Sequence, residues 1–383
     1  MKRVVILGST GSIGVNALKV VQEHESEFEV VGLAAGRRVD LLAEQVRAFR
    51  PKAVAIQDRS LAGRLEGMLN GMRPRILAGE QGVEELAAME GVDQVIVAIT
   101  GAAGLRPTLA AIERGRAIGL ANKETLVMAG ELVMRRARER GSVIVPIDSE
   151  HSAVFQCLKG HADGDVRKIL LTTSGGPLRK VPLGEFGRLT KAQVMDHPRW
   201  KMGPKITVDS ATMMNKALEV IEAQALFGVP VERVEVVVHP EAIVHSMVEF
   251  IDGAVLAQLA VTDMRIPIQY ALSYPDRLAC SLPALDLVAL KQLTFEAPDT
   301  SKFPCLELGY AAARAGGTLP AVLNAANEAC VAAFLRDDLP FTRVALLIEQ
   351  VMRRHRPVAD PTLQQILEAD TWAREETQEV VAS

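Results

Sequence analysis

Over the first 148 positions, apolar residues gather into short runs separated by stretches in which they recur every three or four residues. The runs are VVIL from Val4, EVVGLAA from Glu29, AVAI from Ala53, QVIVAIT from Gln94, AIGLA from Ala117 and SVIVPID from Ser142. Strands of this length alternating with amphipathic helices predict βαβ units, and hence an α/β domain over 1–148 with a doubly wound, Rossmann-like parallel sheet. Asp40 is the expected N-cap of the helix LLAEQVRAF, and Pro51 its terminator.

The rhythm changes after Asp148. KILLTTSGG, ITVDS (206–210), VERVEVVVH, IVHSMVEFI and AVLAQLAVT read as strands, and NKALEVIEAQALF reads as a helix of period near 3.6. This predicts an α+β catalytic middle domain over 149–273. Residues 274–300 carry several prolines and little periodicity, as a linker would. From 301 to 383, ELGYAAARA, LPAVLNAANEACVAAFL, VALLIEQVMRRH and LQQILEADTWAREE are successive amphipathic stretches, predicting a C-terminal α-helical bundle.

Composition narrows the partners. The 383 residues, 49% hydrophobic, suffice for two or three domains with cores of their own. Acidic residues outnumber basic ones 47 to 43 with no basic block, so nucleic acid is not expected as a partner. Cys157, Cys280, Cys305 and Cys330 lie far apart with no CxxC pair, which fits a reducing, cytoplasmic setting. The Met-Lys-Arg start resembles a signal-peptide n-region, but the apolar run after it ends at Gly8. No stretch is apolar enough to span a membrane.

The first strand runs directly into Gly8-Ser9-Thr10-Gly11-Ser12-Ile13-Gly14 and a helix. Glycines admit a pyrophosphate close to the backbone, and free amides at a helix start hold its charge. Many strand-to-helix turns hold glycine for packing alone; the strand before and helix after are what favour a dinucleotide here. At the end of the second strand, where an acid would grip the ribose of NAD, the chain has Gly36, Arg37 and Arg38. Two arginines there pair with a 2′-phosphate or form a solvated loop, and the missing acid favours NADPH.

Asp148 and Glu150 follow the last strand of this domain, and period two puts both carboxylates on one side if the strand continues. A cation that bridged them would be magnesium or manganese rather than zinc, as hard carboxylate ligands argue. The alternative is a helix cap and a surface charge. In Asp209 to Glu219, helical spacing puts Asn215 and Lys216 on the same face as Glu219, as a ligand site or a salt-bridged surface would have them. Thr173 to Pro177 follows a strand and can form a backbone nest for an anion, with Ser174 as donor, or a plain turn. The stretch 194–204, with His197, Trp200 and Met202 among prolines and cations, reads as a mobile flap. His151, His197 and His245 are candidates to handle protons, and each of them, like His239, also fits a hydrogen-bonded structural position.

Taken in order, GSTGSIG, ANKE at 121–124, DSEH at 148–151, SGGP at 174–177, HPRWKMG at 197–203, DSATMMNKALE at 209–219 and LNAANE at 323–328 resemble the 1-deoxy-D-xylulose 5-phosphate reductoisomerase family, over essentially the whole chain. The resemblance implies a homodimeric enzyme that uses NADPH and Mg2+ or Mn2+ to rearrange and reduce 1-deoxy-D-xylulose 5-phosphate to 2-C-methyl-D-erythritol 4-phosphate. By it, Asp148, Glu150 and Glu219 would be metal ligands, and Ser174, Ser210, Asn215 and Lys216 would hold the substrate phosphate. Ser149 and Lys123 would contact substrate hydroxyls, and His197, Trp200, Met202 and Gly203 would form a lid. Gly8, Thr10, Gly11, Ser12, Ile13, Gly36, Arg37, Arg38, Asn122, Glu124 and Gly203 would meet the cofactor. The chain departs from the family at Arg38, where Asn is common, and at Leu178, where Phe often follows SGGP. The competing readings are a reductase for another phosphorylated polyol or amino-acid precursor, and a nucleotide-sensing protein without catalysis.

Overall fold

A computed structural model describes residues 1–200 and 202–382. By contact the chain forms two compact units. The first holds residues 1–125, 133–152 and 263–281, and the second 126–132, 153–262 and 282–383.

The first unit is built on seven strands: β1 (Lys2–Leu7), β2 (Phe28–Ala35), β3 (Ala53–Ile56), β4 (Arg75–Ala78), β5 (Gln94–Val97), β6 (Ala117–Leu120) and β7 (Ile144–Pro146). They pair in the order β4-β3-β2-β1-β5-β6-β7, every pair parallel. Successive strands move outward on one side of β1 and then on the other, so the switch point lies between β1 and β5. Buried side chains run continuously from Val4 to Leu7 of β1 and through β3 and β5, as in a sheet covered on both faces. β4 is absent from the sequence-based strands because its four residues, RILA, lie at the sheet edge without a β-branched run.

The helix Arg265–Ser273 belongs to this unit. The Gln94 side chain donates to the Ala271 carbonyl at 2.7 Å, and Lys2 Nζ to the Leu272 carbonyl at 2.6 Å. A Cβ on Gly119 in β6 would lie 2.5 Å from Ile96 Cδ1 and 3.2 Å from Ile147 Cδ1, so glycine makes room for these two side chains beside that helix.

The second unit has a four-stranded sheet of β8 (Val166–Thr173), β9 (Val234–Val238), β10 (Val244–Phe250) and β11 (Val255–Leu259), in the order β11-β10-β8-β9. β10 runs antiparallel to both neighbours, while β8 and β9 are parallel. One apolar core joins this sheet to the C-terminal helices, including Leu171, Leu218, Val248, Leu323, Leu347 and Ala373. Burying each larger aliphatic among them stabilises the unit by about 1.5–3 kcal/mol. The helix Leu319–Leu335 is buried nearly all round and forms the middle of the bundle.

ITVDS is not a strand: it lies in the helix Pro204–Ala211, which starts with Gly203 as N-cap and proline in its first turn. Proline's fixed φ suits a first helical turn, and this overrides the β-branched pair Ile206 and Thr207. The helix predicted to be capped by Asp40 starts two residues earlier, at Val39 with Arg38 as cap, and Asp40 sits in its first turn paired with Arg64 at 2.7 Å.

Candidate active site

The glycine turn of the first unit is held from both sides. Gly8 has φ +84°, and a Cβ there would lie 2.4 Å from the Ala98 carbonyl oxygen; a Cβ on Gly14 would lie 2.3 Å from that of Gly8. Only glycine allows these approaches. Ser9 exchanges two hydrogen bonds with Gln45 in the helix Val39–Phe49: its hydroxyl donates to Oε1 at 2.7 Å, and the Gln45 amide donates to the Ser9 carbonyl at 2.8 Å. The helix Ser12–Glu23 follows with Gly11 as N-cap and no side chain capping it. Its first amides therefore remain available to an anion.

Beside this turn, at the carboxyl ends of β1, β2 and β5, opens a cleft of about 340 Å³. Gly8, Thr10, Gly11, Ala35 and Gly36 line it, as do Gln57, Ile99 and Thr100. The small residues, the uncapped helix and the switch-point position fit a dinucleotide. Gln45, Gln57, Ile99 and Thr100 were not singled out from sequence. The signal for the last two was the end of QVIVAIT, the strand across the switch point from the glycine turn.

Arg37 is exposed and pairs with Asp58 at 3.2 Å. The Ser60 hydroxyl and amide, followed by Arg37, hold the Asp58 carboxyl below its usual range. Arg38 turns back to donate to the Thr10 carbonyl at 3.1 Å, tying the end of β2 to the glycine turn. The Asn122 side chain caps the helix Lys123–Arg140, accepting from the Thr125 amide at 3.0 Å and donating to the carbonyls of Ile99 and Gly101 and to Glu124 Oε2. Its side chain is taken up in shaping the cleft wall.

β7 ends at Pro146 and a helix begins at Ser149, so the two-residue alternation assumed for Asp148 and Glu150 does not apply. Both instead lie at the helix start, with the Asp148 carbonyl accepting from the Ser152 amide at 2.8 Å. Asp148 pairs with the mostly buried Lys123, and the Ser149 hydroxyl donates to Glu150 Oε2 at 2.5 Å. His151 is fully buried one residue on.

In the second unit, the turn after β8 has Gly175 and Gly176 at φ +83° and +70°, and a Cβ on Gly176 would lie 2.4 Å from the Ser210 carbonyl oxygen. Consecutive left-handed residues turn backbone amides into a concavity suited to an anion. Ser210 is half-buried near the end of its helix. After Met213, itself left-handed at φ +60°, the helix Met214–Phe227 carries Asn215, Lys216 and Glu219. Glu219 is fully buried and accepts from Asn215 Nδ2 at 2.5 Å and from the Lys216 ammonium, which also donates to the Thr172 carbonyl at 2.5 Å. Gly309 lets the helix Cys305–Ala315 cross close behind: a Cβ there would lie 2.5 Å from that of Ala217.

His197 lies in the stretch between the helices Lys191–Met195 and Pro204–Ala211. Its Nδ1 accepts from the amides of Trp200 at 3.0 Å and Arg199 at 3.3 Å. Nδ1 therefore carries no proton, and in the neutral ring the hydrogen sits on Nε2, 3.4 Å from the Ser174 hydroxyl. Burial lowers the His197 pKa. Ser174 Oγ also faces the Gly176 amide at 3.4 Å, so with two donors directed at its oxygen, its own hydrogen is left to donate. Met202 is half-buried; Lys201 of the HPRWKMG motif lies outside the described residues. His245 is buried in β10, and His239 is structural, with Nδ1 on the Thr294 carbonyl at 2.9 Å and Nε2 accepting from the Ile243 amide at 3.2 Å.

A parallel sheet with a glycine-lined cleft at its switch point, in a chain that also buries a lysine–carboxylate cluster behind a glycine nest, defines a dinucleotide-binding α/β oxidoreductase. Family models described as 1-deoxy-D-xylulose 5-phosphate reductoisomerase match residues 4–130, and those described as its C-terminal domain match 144–227 and 259–376. The chain belongs to the 1-deoxy-D-xylulose 5-phosphate reductoisomerase family. It is 52% identical to the protein of that name from Pelotomaculum thermopropionicum, over 98% of this chain and 97% of that one. With the Chlorobaculum tepidum protein it shares 51% over the whole of both chains. The structure of the Zymomonas mobilis enzyme in complex with NADPH superposes with a TM-score of 0.94 at 41% identity, covering 100% of this chain and 99% of that one. A reductoisomerase structure in complex with NADPH, fosmidomycin and magnesium gives a TM-score of 0.94 at 38% identity, covering 100% and 98%.

Proposed function

We propose that this protein converts 1-deoxy-D-xylulose 5-phosphate to 2-C-methyl-D-erythritol 4-phosphate with NADPH and a divalent metal, as a step toward isoprenoid precursors. The observation that carries the reading to this chain's own residues is the buried Lys216–Glu219–Asn215 cluster beside the Ser174–Gly176 nest. Asp148, Glu150 and Glu219 would hold Mg2+ or Mn2+: all three offer hard carboxylate oxygens, and Lys123, Ser149 and Lys216 already orient them. When bound, NADPH supplies the reducing equivalents and the metal polarises the substrate's oxygens.

The chain's own groups do the rest. Ser174, Ser210, Asn215 and Lys216 hold the phosphate, far from the reacting carbons, and so orient the sugar. Lys123 and Ser149 contact its hydroxyls. His197, Trp200 and Met202 cover the substrate and exclude water. Gly8, Thr10, Gly11, Ser12 and Ile13, with Gly36, hold the pyrophosphate side of NADPH, and Arg37 and Arg38 its 2′-phosphate. Glu124, whose carboxylate accepts from Asn122, and Gly203 complete the cofactor site. His151 and His245 are the remaining proton-handling candidates.

The decisive assay is NADPH oxidation with 1-deoxy-D-xylulose 5-phosphate, with and without Mg2+ or Mn2+. Metal-dependent oxidation yielding the branched polyol phosphate is expected; none from folded, cofactor-binding protein would overturn the reading.

A second copy of this chain is the expected partner. β11 is a sheet edge with Val255 and Leu256 exposed, beside an exposed Ile251, and a paired edge would cover them. Sedimentation at a monomer mass would refute this. No helix among the described residues is long and apolar enough to cross a membrane. All four cysteines are free thiols, which supports a cytoplasmic setting.

A further inference from the structure

We propose that Asn327, in the C-terminal helical segment, is a positioning residue for the substrate phosphate site, acting through Asp209 on Ser210. The inference rests on the phosphate-binding role assigned above to Ser174 and Ser210. Asp209 is 1% exposed, and its two oxygens are held from different sides. Lys205, in the first turn of the same helix, pairs with Oδ2 at 2.8 Å, and Asn327 Nδ2 donates to Oδ1 at 2.9 Å.

Asn327 is fully buried in its helix, where Leu323, Ala326, Cys330 and Val331 beside it are apolar and Asn324 is the buried polar neighbour. Its own Oδ1 has no hydrogen-bond partner among the described residues. An apolar side chain would serve helix packing better, because a buried amide acceptor without a partner is unfavourable. What the amide supplies is one donor, aimed at Asp209. The residue after Asn327, Glu328, accepts at Oε2 from Arg374 in the C-terminal helix at 2.7 Å, a bond separate from the one to Asp209.

Asp209 stands where the contacts of the turn and of both helices meet. The next residue is Ser210, whose carbonyl is the surface on which Gly176 rests. The Asp209 carbonyl accepts from the Thr212 hydroxyl at 3.2 Å, and that hydroxyl accepts from the Met214 amide at 3.2 Å, at the start of the helix with Asn215 and Lys216. Lys205, at the other end, lies two residues after the stretch 196–203. One buried carboxylate thus sets the helix that connects the cover, the nest and the lysine, and Asn327 sets the carboxylate.

The test compares wild type, Asn327→Leu and, as a packing control in the same bundle, Arg374→Met. Asn327→Leu should raise KM for 1-deoxy-D-xylulose 5-phosphate and the Ki of inorganic phosphate about tenfold, the loss of one hydrogen bond to a charged group, with KM for NADPH unchanged. Arg374→Met should lower Tm and leave all three constants alone. Adding Asn327→Leu to Asp209→Leu should cost nothing further in KM, since the amide acts through that carboxylate. If Asn327→Leu fails to fold, Asn327→Ala is read in the same way. Lower Tm with unchanged KM and phosphate Ki would make Asn327 a packing residue and overturn the proposal. Wild type without turnover would instead sink the assigned reaction, and calorimetric binding of inorganic phosphate to wild type and variant would still decide the positioning role.

Discussion

The Lys216 ammonium donates to the Thr172 carbonyl at 2.5 Å, which ties the helix Met214–Phe227 to β8 two residues before the Ser174–Gly176 turn. The same ammonium pairs with the fully buried Glu219. Lys216→Met should therefore do two things. Removing one partner of a buried pair costs about 3–5 kcal/mol, so Tm should fall by many degrees. At temperatures where the variant remains folded, kcat/KM for the sugar phosphate should fall by about 100-fold or more while NADPH binding persists. Cofactor fluorescence titration beside steady-state kinetics checks both.

Glu219→Gln keeps the volume and the bond from Asn215 but removes the charge a cation needs. Turnover should vanish at any metal concentration while the protein binds NADPH normally. Activity near that of wild type would remove Glu219 from the ligand set.

His197 gives a pH dependence of definite sign. Its Nδ1 accepts two amide hydrogens, so the neutral ring is the one the covering stretch requires. Burial depresses its pKa below the usual 6.5, so the contribution to stability is present above pH 6.5 and is lost as pH falls through the depressed value. KM for the sugar phosphate should be flat above pH 6.5 and rise below that lower pKa. His197→Gln should abolish this limb; a limb that survives in the variant belongs to another group.

Most of the architecture was readable because its causes are local. The β-branched runs of the first unit alternate with amphipathic helices, and the glycine turn needs no distant partner to be recognised. Departures arose where a local rule was overridden. Ile206 and Thr207 favour a strand, yet Pro204 starts a helix there. Asp148 and Glu150 were aligned by strand geometry although the strand ends at Pro146. The Ser9–Gln45 exchange and the Asn327–Asp209 bond join residues far apart in sequence, and no periodicity announces them. The site residues themselves came from the order of the motifs, since Asn215, Lys216 and Glu219 alone read equally well as a salt-bridged surface.

Cofactor choice tests the end of β2. Arg37 is exposed, and its pairing with Asp58 at 3.2 Å is a solvent-screened surface contact, so Arg37→Ala should leave Tm unchanged. If Arg37 pairs with the 2′-phosphate, a charge-assisted contact of about 1.5–3 kcal/mol is lost, and kcat/KM for NADPH should fall by about 10- to 100-fold. NADH lacks that phosphate, so its kcat/KM should stay the same. Asp58→Asn should act in the opposite direction: with its competing acid gone, the guanidinium is left to the phosphate, and preference for NADPH over NADH should rise. Steady-state measurement of both cofactors in both variants decides the matter. Equal losses with NADPH and NADH in Arg37→Ala would show that Arg37 shapes the cleft without reading the phosphate, leaving that task to Arg38.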